Sequence, residues 1–186
     1  MTAKILTTER HNNRLIEAQK EVYKLGIFAH PFYAVEDSMP KISFNKSMMQ
    51  IMSEHDDVLL LCEDDVEIRN YEHFKKAISE LPSDWELCYL GANVIGPVER
   101  YSEHLFRITA AWTTHALMYN NPKKLCKDYK NYGWMFDDWL KEQIQPNGKS
   151  YIIAPMMAWQ KPHQSDLWDH YADYTTLFNN SANKLI

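Results

Sequence analysis

The chain has 186 residues, 45% of them hydrophobic and 13% aromatic, which is enough apolar material for one compact domain and too much for a disordered tail. Its formal charge of −5 excludes a broad basic face as the source of affinity, so nonspecific nucleic-acid binding is not expected. Cys62, Cys88 and Cys126 form no CxxC pair and sit in apolar settings, which predicts free buried thiols in a reducing compartment.

The first residues, MTAKILTTERHNNR, contain no apolar stretch of the signal-peptide kind. The longest apolar run, Val58 to Cys62, is far too short to cross a bilayer, so a soluble, cytoplasmic protein without a membrane span is the expectation. Lys4 to Thr7 reads as a strand. Arg10 to Leu25 follows as a helix, with Leu15, Ile16, Ala18, Val22 and Leu25 at spacings of three and four and Gly26 at its C-terminal stop. Ile27 to Val35, aromatic and interrupted by Pro31, reads as an edge strand. Ser43 is placed to cap a helix from Phe44 to Glu54, and Asp56 to Leu61 then reads as a buried central strand.

A helix opening at Asn70 or Tyr71, carrying Phe74, Ala77, Ile78 and Leu81, is stopped by Pro82, and Trp85 to Leu90 returns as the next strand. Strand, helix and strand predict a right-handed parallel crossover between neighbours. Gly91 to Glu103 reads as a loop over the site. Leu105 to Ala111 and Ala116 to Tyr119 follow as strands, Pro122 to Tyr129 and Asp137 to Ile144 as helices, and Ser150 to Ile153 as a last strand before a polar, aromatic tail. No repeat or linker divides the chain, which predicts a single domain over residues 1–186. The fold class is α/β, with a Rossmann-like, mostly parallel central sheet flanked by helices.

In such sheets ligands bind beyond the carboxyl ends of the strands, which is where Glu63-Asp64-Asp65 follows the apolar run. Three adjacent carboxylates are costly without a counter-ion, so the cluster reads as a divalent-metal site rather than a plain strand end. Alternation predicts Glu63 and Asp65 together on one hard cation, with Asp64 turned toward a neighbouring group.

LLLCEDDVEI, then a helix, then WELCYLGAN resembles the metal-binding region of glycosyltransferase family 25, the lipooligosaccharide-type sugar transferases. The resemblance extends to Arg14, KLGI, Pro31 to Glu36 (PFYAVE), Thr113-Thr114-His115-Ala116 and Phe136-Asp137-Asp138-Trp139-Leu140. The chain departs from the family in its shorter length and in lacking an asparagine-rich ending to its first strand, so a reduced acceptor region is expected.

The resemblance implies an A-type glycosyltransferase fold in which the carboxylates hold Mn2+ or Mg2+ against the diphosphate of a UDP-sugar. Asp65 is then the direct ligand, Glu63 and Asp64 lie near ribose or metal, and His163 completes the metal shell. Arg14, Lys161 and Gln160 become diphosphate or base contacts, because departing charge must be compensated. Inversion by direct displacement calls for a base, and Asp137 or Asp138 at a helix start would supply it. Thr114 and His115 are suited to sugar hydroxyls, and Trp134 and Trp159 offer flat faces to sugar rings. Arg14 reads equally as a solvated helix residue, His163 as a surface histidine, Asp137 and Asp138 as an N-cap pair, and either tryptophan as core.

A glycan is the expected acceptor, with a protein or a modified nucleic-acid base left open. Two other readings stay open at this point: a metal-dependent phosphodiesterase or nucleotidyltransferase, and an inactive sugar-binding domain on the same scaffold.

Overall fold

An unbroken apolar run such as Val58 to Cys62 is tolerated in a strand covered on both faces. It takes that position in the computed structural model, which describes residues 1–127, 129, 135–167 and 170–186. The central sheet contains β1 (Thr2–Thr7), β2 (His30–Tyr33), β3 (Leu59–Glu63), β4 (Leu87–Tyr89), β5 (Val98–Arg100), β6 (Leu105–Ile108), β7 (Ala116–Tyr119) and β8 (Ser150–Ile153). Their order across the sheet is β2-β1-β3-β7-β4-β8-β6-β5. Strands β6 and β7 run against the direction shared by the others. The fold is therefore mixed α/β with a large, mostly parallel central sheet, as the sequence pattern predicts.

Pleating divides β3 between two cores. Leu60 and Cys62 meet Leu15, Ala18 and Val22 of α1 (Asn12–Tyr23), while Leu59 and Leu61 meet Met48, Ile51 and Met52 of α2 (Pro40–Ser53). Phe74 and Ala77 of α3 (Phe74–Ser79) extend the first core. Leu125 of α4 (Pro122–Cys126), Trp139 of α5 (Phe136–Trp139) and Phe178 of α6 (Thr175–Asn183) extend the second. The three cysteines are buried and free. Among the described residues, no helix is long and apolar enough to cross a membrane.

Several expectations are corrected. Helix α2 starts at Pro40, whose ring and missing N–H suit a first helical turn, and the Ser43 hydroxyl donates to Val35 O (2.6 Å) rather than capping a helix. Ile16 of α1 faces solvent, half exposed, instead of joining the core. The β3 strand begins at Leu59 rather than Asp56 and continues through Glu63. Strands β3 and β4 point the same way but are not neighbours, because β7 lies between them, antiparallel to both. Residues 91–103 do not cover the site: they contain Asn93–Val94 and β5, the far edge of the sheet.

The tail is structured as well. Ala158–Gln160 pairs antiparallel with Val66–Ile68, His163–Gln164 pairs with Tyr171–Ala172, and α6 lays the fully buried Phe178 against the His115 ring at 4.8 Å. Gly91, just past β4, faces Ala158 so closely that a Cβ there would come within 1.8 Å of its carbonyl oxygen. Met157 N and Ala158 N both donate to Leu90 O at that crossing, at 2.7 and 3.0 Å.

Candidate functional site

The carboxyl ends of β1, β2 and β3 open into a cleft of about 990 Å³. Glu63, Asp64, Asp65 and Asp137 line it together with Arg10, His11, Arg14, Thr113, Thr114, Gln160 and His163. The chain turns directly after Glu63, at Asp64 and Asp65, before Val66–Ile68 resumes an extended course. That turn overrides strand alternation, so all three acids reach the same cleft.

Each acid nevertheless has its own surroundings. Glu63 Oε1 accepts from Thr114 Oγ1 (3.0 Å), and its backbone N–H donates to His115 O (2.9 Å). Burial first, then the nearby Asp65 charge, pushes the Glu63 carboxyl up to about 8. Asp64 Oδ2 accepts from Thr7 Oγ1 (2.6 Å) and lies 3.5 Å from His11 Nδ1, while Asp64 Oδ1 is taken by the Arg14 guanidinium.

Asp65 Oδ2 accepts from Gln160 Nε2 (3.1 Å) and lies 3.3 Å from His163 Nε2 and 3.9 Å from Arg14. Asp65 Oδ1 is buried without a partner among the described residues. Burial raises the Asp65 carboxyl above its ordinary range, and His163 and Arg14 offset part of that rise. The hairpin with Val66–Ile68 is what brings Gln160 to Asp65, because Gln160 stands opposite Val66.

The two candidate bases separate. Asp137 lines the cleft and accepts from Asp138 N–H (3.0 Å) and from Thr113 N–H. Burial and the charge of Asp138 raise its carboxyl above the ordinary range. Asp138 lies outside the cleft lining, where its Oδ1 accepts from Trp112 Nε1 and Lys141 Nζ, each at 3.2 Å. Thr113 is held at a φ of 79°, a conformation costly for a β-branched residue, and its buried Oγ1 has no partner among the described residues.

Other expected positions fall elsewhere. His115 is enclosed beneath the cleft, and burial pushes its imidazole down to about 4, so it stays neutral there. Lys161 does not line the cleft; its N–H donates to Asp65 O (2.8 Å), and its charge acts on Glu17 and Glu67. Trp159 is buried under Arg69 and borders a separate cavity of about 430 Å³. Trp134 lies outside the described residues. The sequence reading missed His11 and Asp166. His11 Nδ1 is 3.4 Å from Asp166 Oδ2, and Arg10 is 2.9 Å from Asp166 Oδ1.

The donor set fits a hard divalent cation, because two carboxylates of raised proton affinity, Glu63 partly buried and Asp65 buried with an unused oxygen, converge beside an imidazole. It is not drawn tight. Among the described residues, the group of three His, Cys, Asp or Glu side chains whose ligand atoms all lie within 4.8 Å of one another is Glu80, Glu103 and His104, outside the cleft. In that group burial raises the Glu80 carboxyl, but hydrogen bonds from Ser102 Oγ, His104 N–H and the His104 ring outweigh it and bring it down to about 2.

No family model and no curated protein matches the sequence, so the resemblance to family 25 rests on the short motifs alone. Solved structures do match. The A197 protein from STIV is 9% identical, with 88% of this chain and 87% of that chain covered and a TM-score of 0.53. A glycosyltransferase involved in the glycosylation of the major capsid of PBCV-1 is 12% identical, with 82% and 81% covered and a TM-score of 0.48. The first likeness is one of fold alone, and the second is too loose to add to it.

Proposed function

We propose that the chain is a metal-dependent, inverting glycosyltransferase of the A-type fold that moves a sugar from a nucleotide-sugar to an acceptor hydroxyl. A UDP-sugar is the first donor to test, and a glycan the first acceptor. The observation that carries this reading is the convergence of Glu63 and Asp65, the latter with a buried unpartnered oxygen, and Asp137 in one cleft at the carboxyl ends of parallel strands.

Asp65, Glu63 and His163 would hold Mn2+ or Mg2+. When bound, such a cation neutralises charge that builds on the departing diphosphate. Arg14 reinforces it, since its guanidinium already lies beside Asp64 and Asp65. Asp137 accepts the proton of the acceptor hydroxyl as that oxygen bonds to the anomeric carbon and the bond from carbon to phosphate oxygen breaks. Its raised proton affinity suits a base, and the Thr113 and Asp138 N–H groups fix its orientation. No covalent enzyme intermediate is required.

A phosphodiesterase that works with two metals calls for a second ligand set beside the first. The Glu80, Glu103 and His104 group does not line this cleft, so it does not favour that reading.

The test is nucleotide-sugar hydrolysis, UDP binding and Mn2+ dependence in wild type and Asp65→Ala. Turnover with Mn2+ that Asp65→Ala abolishes supports the proposal. A wild type that neither binds nor turns over any nucleotide sugar with Mn2+ overturns it.

A further inference from the structure

Asp64 stands between Glu63 and Asp65, and unlike Asp65 it has a partner on each of its oxygens. Oδ2 accepts from Thr7 Oγ1 at 2.6 Å and faces His11 Nδ1 at 3.5 Å, while Oδ1 is held by the Arg14 guanidinium. For Asp64 Oδ1 to ligate a metal ion, the cation would have to share that oxygen with the like-charged Arg14 guanidinium. Asp65 needs no such sharing, because its Oδ1 is free of partners among the described residues.

Arg14 comes from the first turn of α1 and crosses to the end of β3, with Nε buried and unpartnered. A guanidinium carries five donors in a planar fork. Asp64 engages one end of that fork, and the side chain remains partly open to the cleft. His11, on the short turn before α1, faces Asp64 and Asp166 from the same side.

We infer that Asp64 is a positioning residue: with Thr7 it orients Arg14, and secondarily His11, as a seat for a diphosphate, separate from the cation site of Glu63, Asp65 and His163. This departs from the ribose or metal role that the resemblance implies for Asp64, and it rests on the glycosyltransferase reading above. The seat would take the diphosphate of the donor by its oxygens, whatever the base. It also predicts measurable binding of a bare diphosphate without metal.

Two titrations test this on the full chain: inorganic pyrophosphate in EDTA, and Mn2+ without nucleotide. Asp64→Asn and Arg14→Gln should each weaken pyrophosphate binding about tenfold, the scale of one lost charged hydrogen bond. The double variant should be no weaker than Arg14→Gln alone, because one residue acts through the other. Both single variants should keep Mn2+ binding, Asp64→Asn somewhat weakened and Arg14→Gln somewhat strengthened by the change in neighbouring charge, whereas Asp65→Asn should lose it. If Asp64→Asn folds poorly, Thr7→Val, which removes a hydroxyl alone, should show a smaller pyrophosphate loss in the same direction.

The inference is overturned if Asp64→Asn loses Mn2+ as Asp65→Asn does, if it leaves pyrophosphate binding unchanged, or if the losses in the double variant add. A wild type that binds no pyrophosphate in EDTA overturns the inference alone, and the glycosyltransferase reading falls only with the nucleotide-sugar test above. A wild type that binds both probes, with the variant pattern reversed, likewise overturns the inference alone.

Discussion

Replacing Glu63 by Gln probes the electrostatic load that the acidic cluster places on the cleft. The Glu63 carboxyl rises from an ordinary 4.5 to about 8, chiefly because it is buried and then because Asp65 is charged. At about 1.4 kcal/mol per pH unit, holding that carboxylate ionised costs the folded state on the order of 5 kcal/mol at most. The cleft is open to water, which screens the site, and about 2 kcal/mol is the realistic size.

The sign follows from the direction of the rise. Relative to the unfolded chain, the folded protein prefers the neutral carboxyl, so this stability is fully present below about 4.5 and is lost as pH rises through about 8. Glu63→Gln keeps the acceptor for Thr114 and removes the charge. It should match wild type near pH 4 and become more stable by about 2 kcal/mol near pH 8.5, a rise of about 5 °C in midpoint. Saturating Mn2+ should reverse the order, because wild type gains about 3 kcal/mol from ligation at a hundredfold excess over Kd and the variant gains less. Urea and thermal unfolding between pH 4 and 8.5, with and without Mn2+, measure all of this. A variant less stable than wild type at pH 8.5 without metal, or a difference that ignores pH, refutes the reasoning.

Asp137→Asn should lower kcat about a thousandfold with little change in donor KM, whereas Asp138→Asn, altering a residue tied to Trp112 and Lys141 outside the cleft lining, should retain near-native kcat. Steady-state kinetics of both variants check this, and equal rates would remove the distinction. Gly91→Ala drives a methyl into the Ala158 backbone, so it should cost about 3 kcal/mol or more in urea unfolding, and a loss under about 1 kcal/mol would contradict the described crossing.

Periodicity made α1 and β3 legible, because burial on one helix stripe or on both strand faces leaves a local imprint in residues such as Leu15, Ala18, Val22 and Leu59 to Cys62. The insertion of β7 between β3 and β4 left no such imprint, since ladder partners are chosen at long range. Helix α6 was hidden for a different reason. Thr175 to Asn183 (TTLFNNSAN) is poor in helix formers, and burial of Phe178 against the second core holds it.

In the site, the acidic cluster was readable but its division was not. The chain turns at Asp64, so strand alternation stops informing side-chain direction there. Likewise nothing local distinguishes Asp137 from Asp138. The fold does, by setting one toward Thr113 and the other toward Trp112.

The reversed direction of β7 has a mechanical consequence. Its first residues arrive where β3 finishes, so the Thr113 to His115 segment and Glu63 occupy neighbouring rungs of one ladder, joined by Glu63 N–H to His115 O at 2.9 Å. Thr113 in turn holds Asp137. The spacing between Glu63 and Asp137 is thereby set by sheet pleat rather than by a hinge, so under the proposed mechanism a cation on Glu63 and a base at Asp137 would keep a fixed separation.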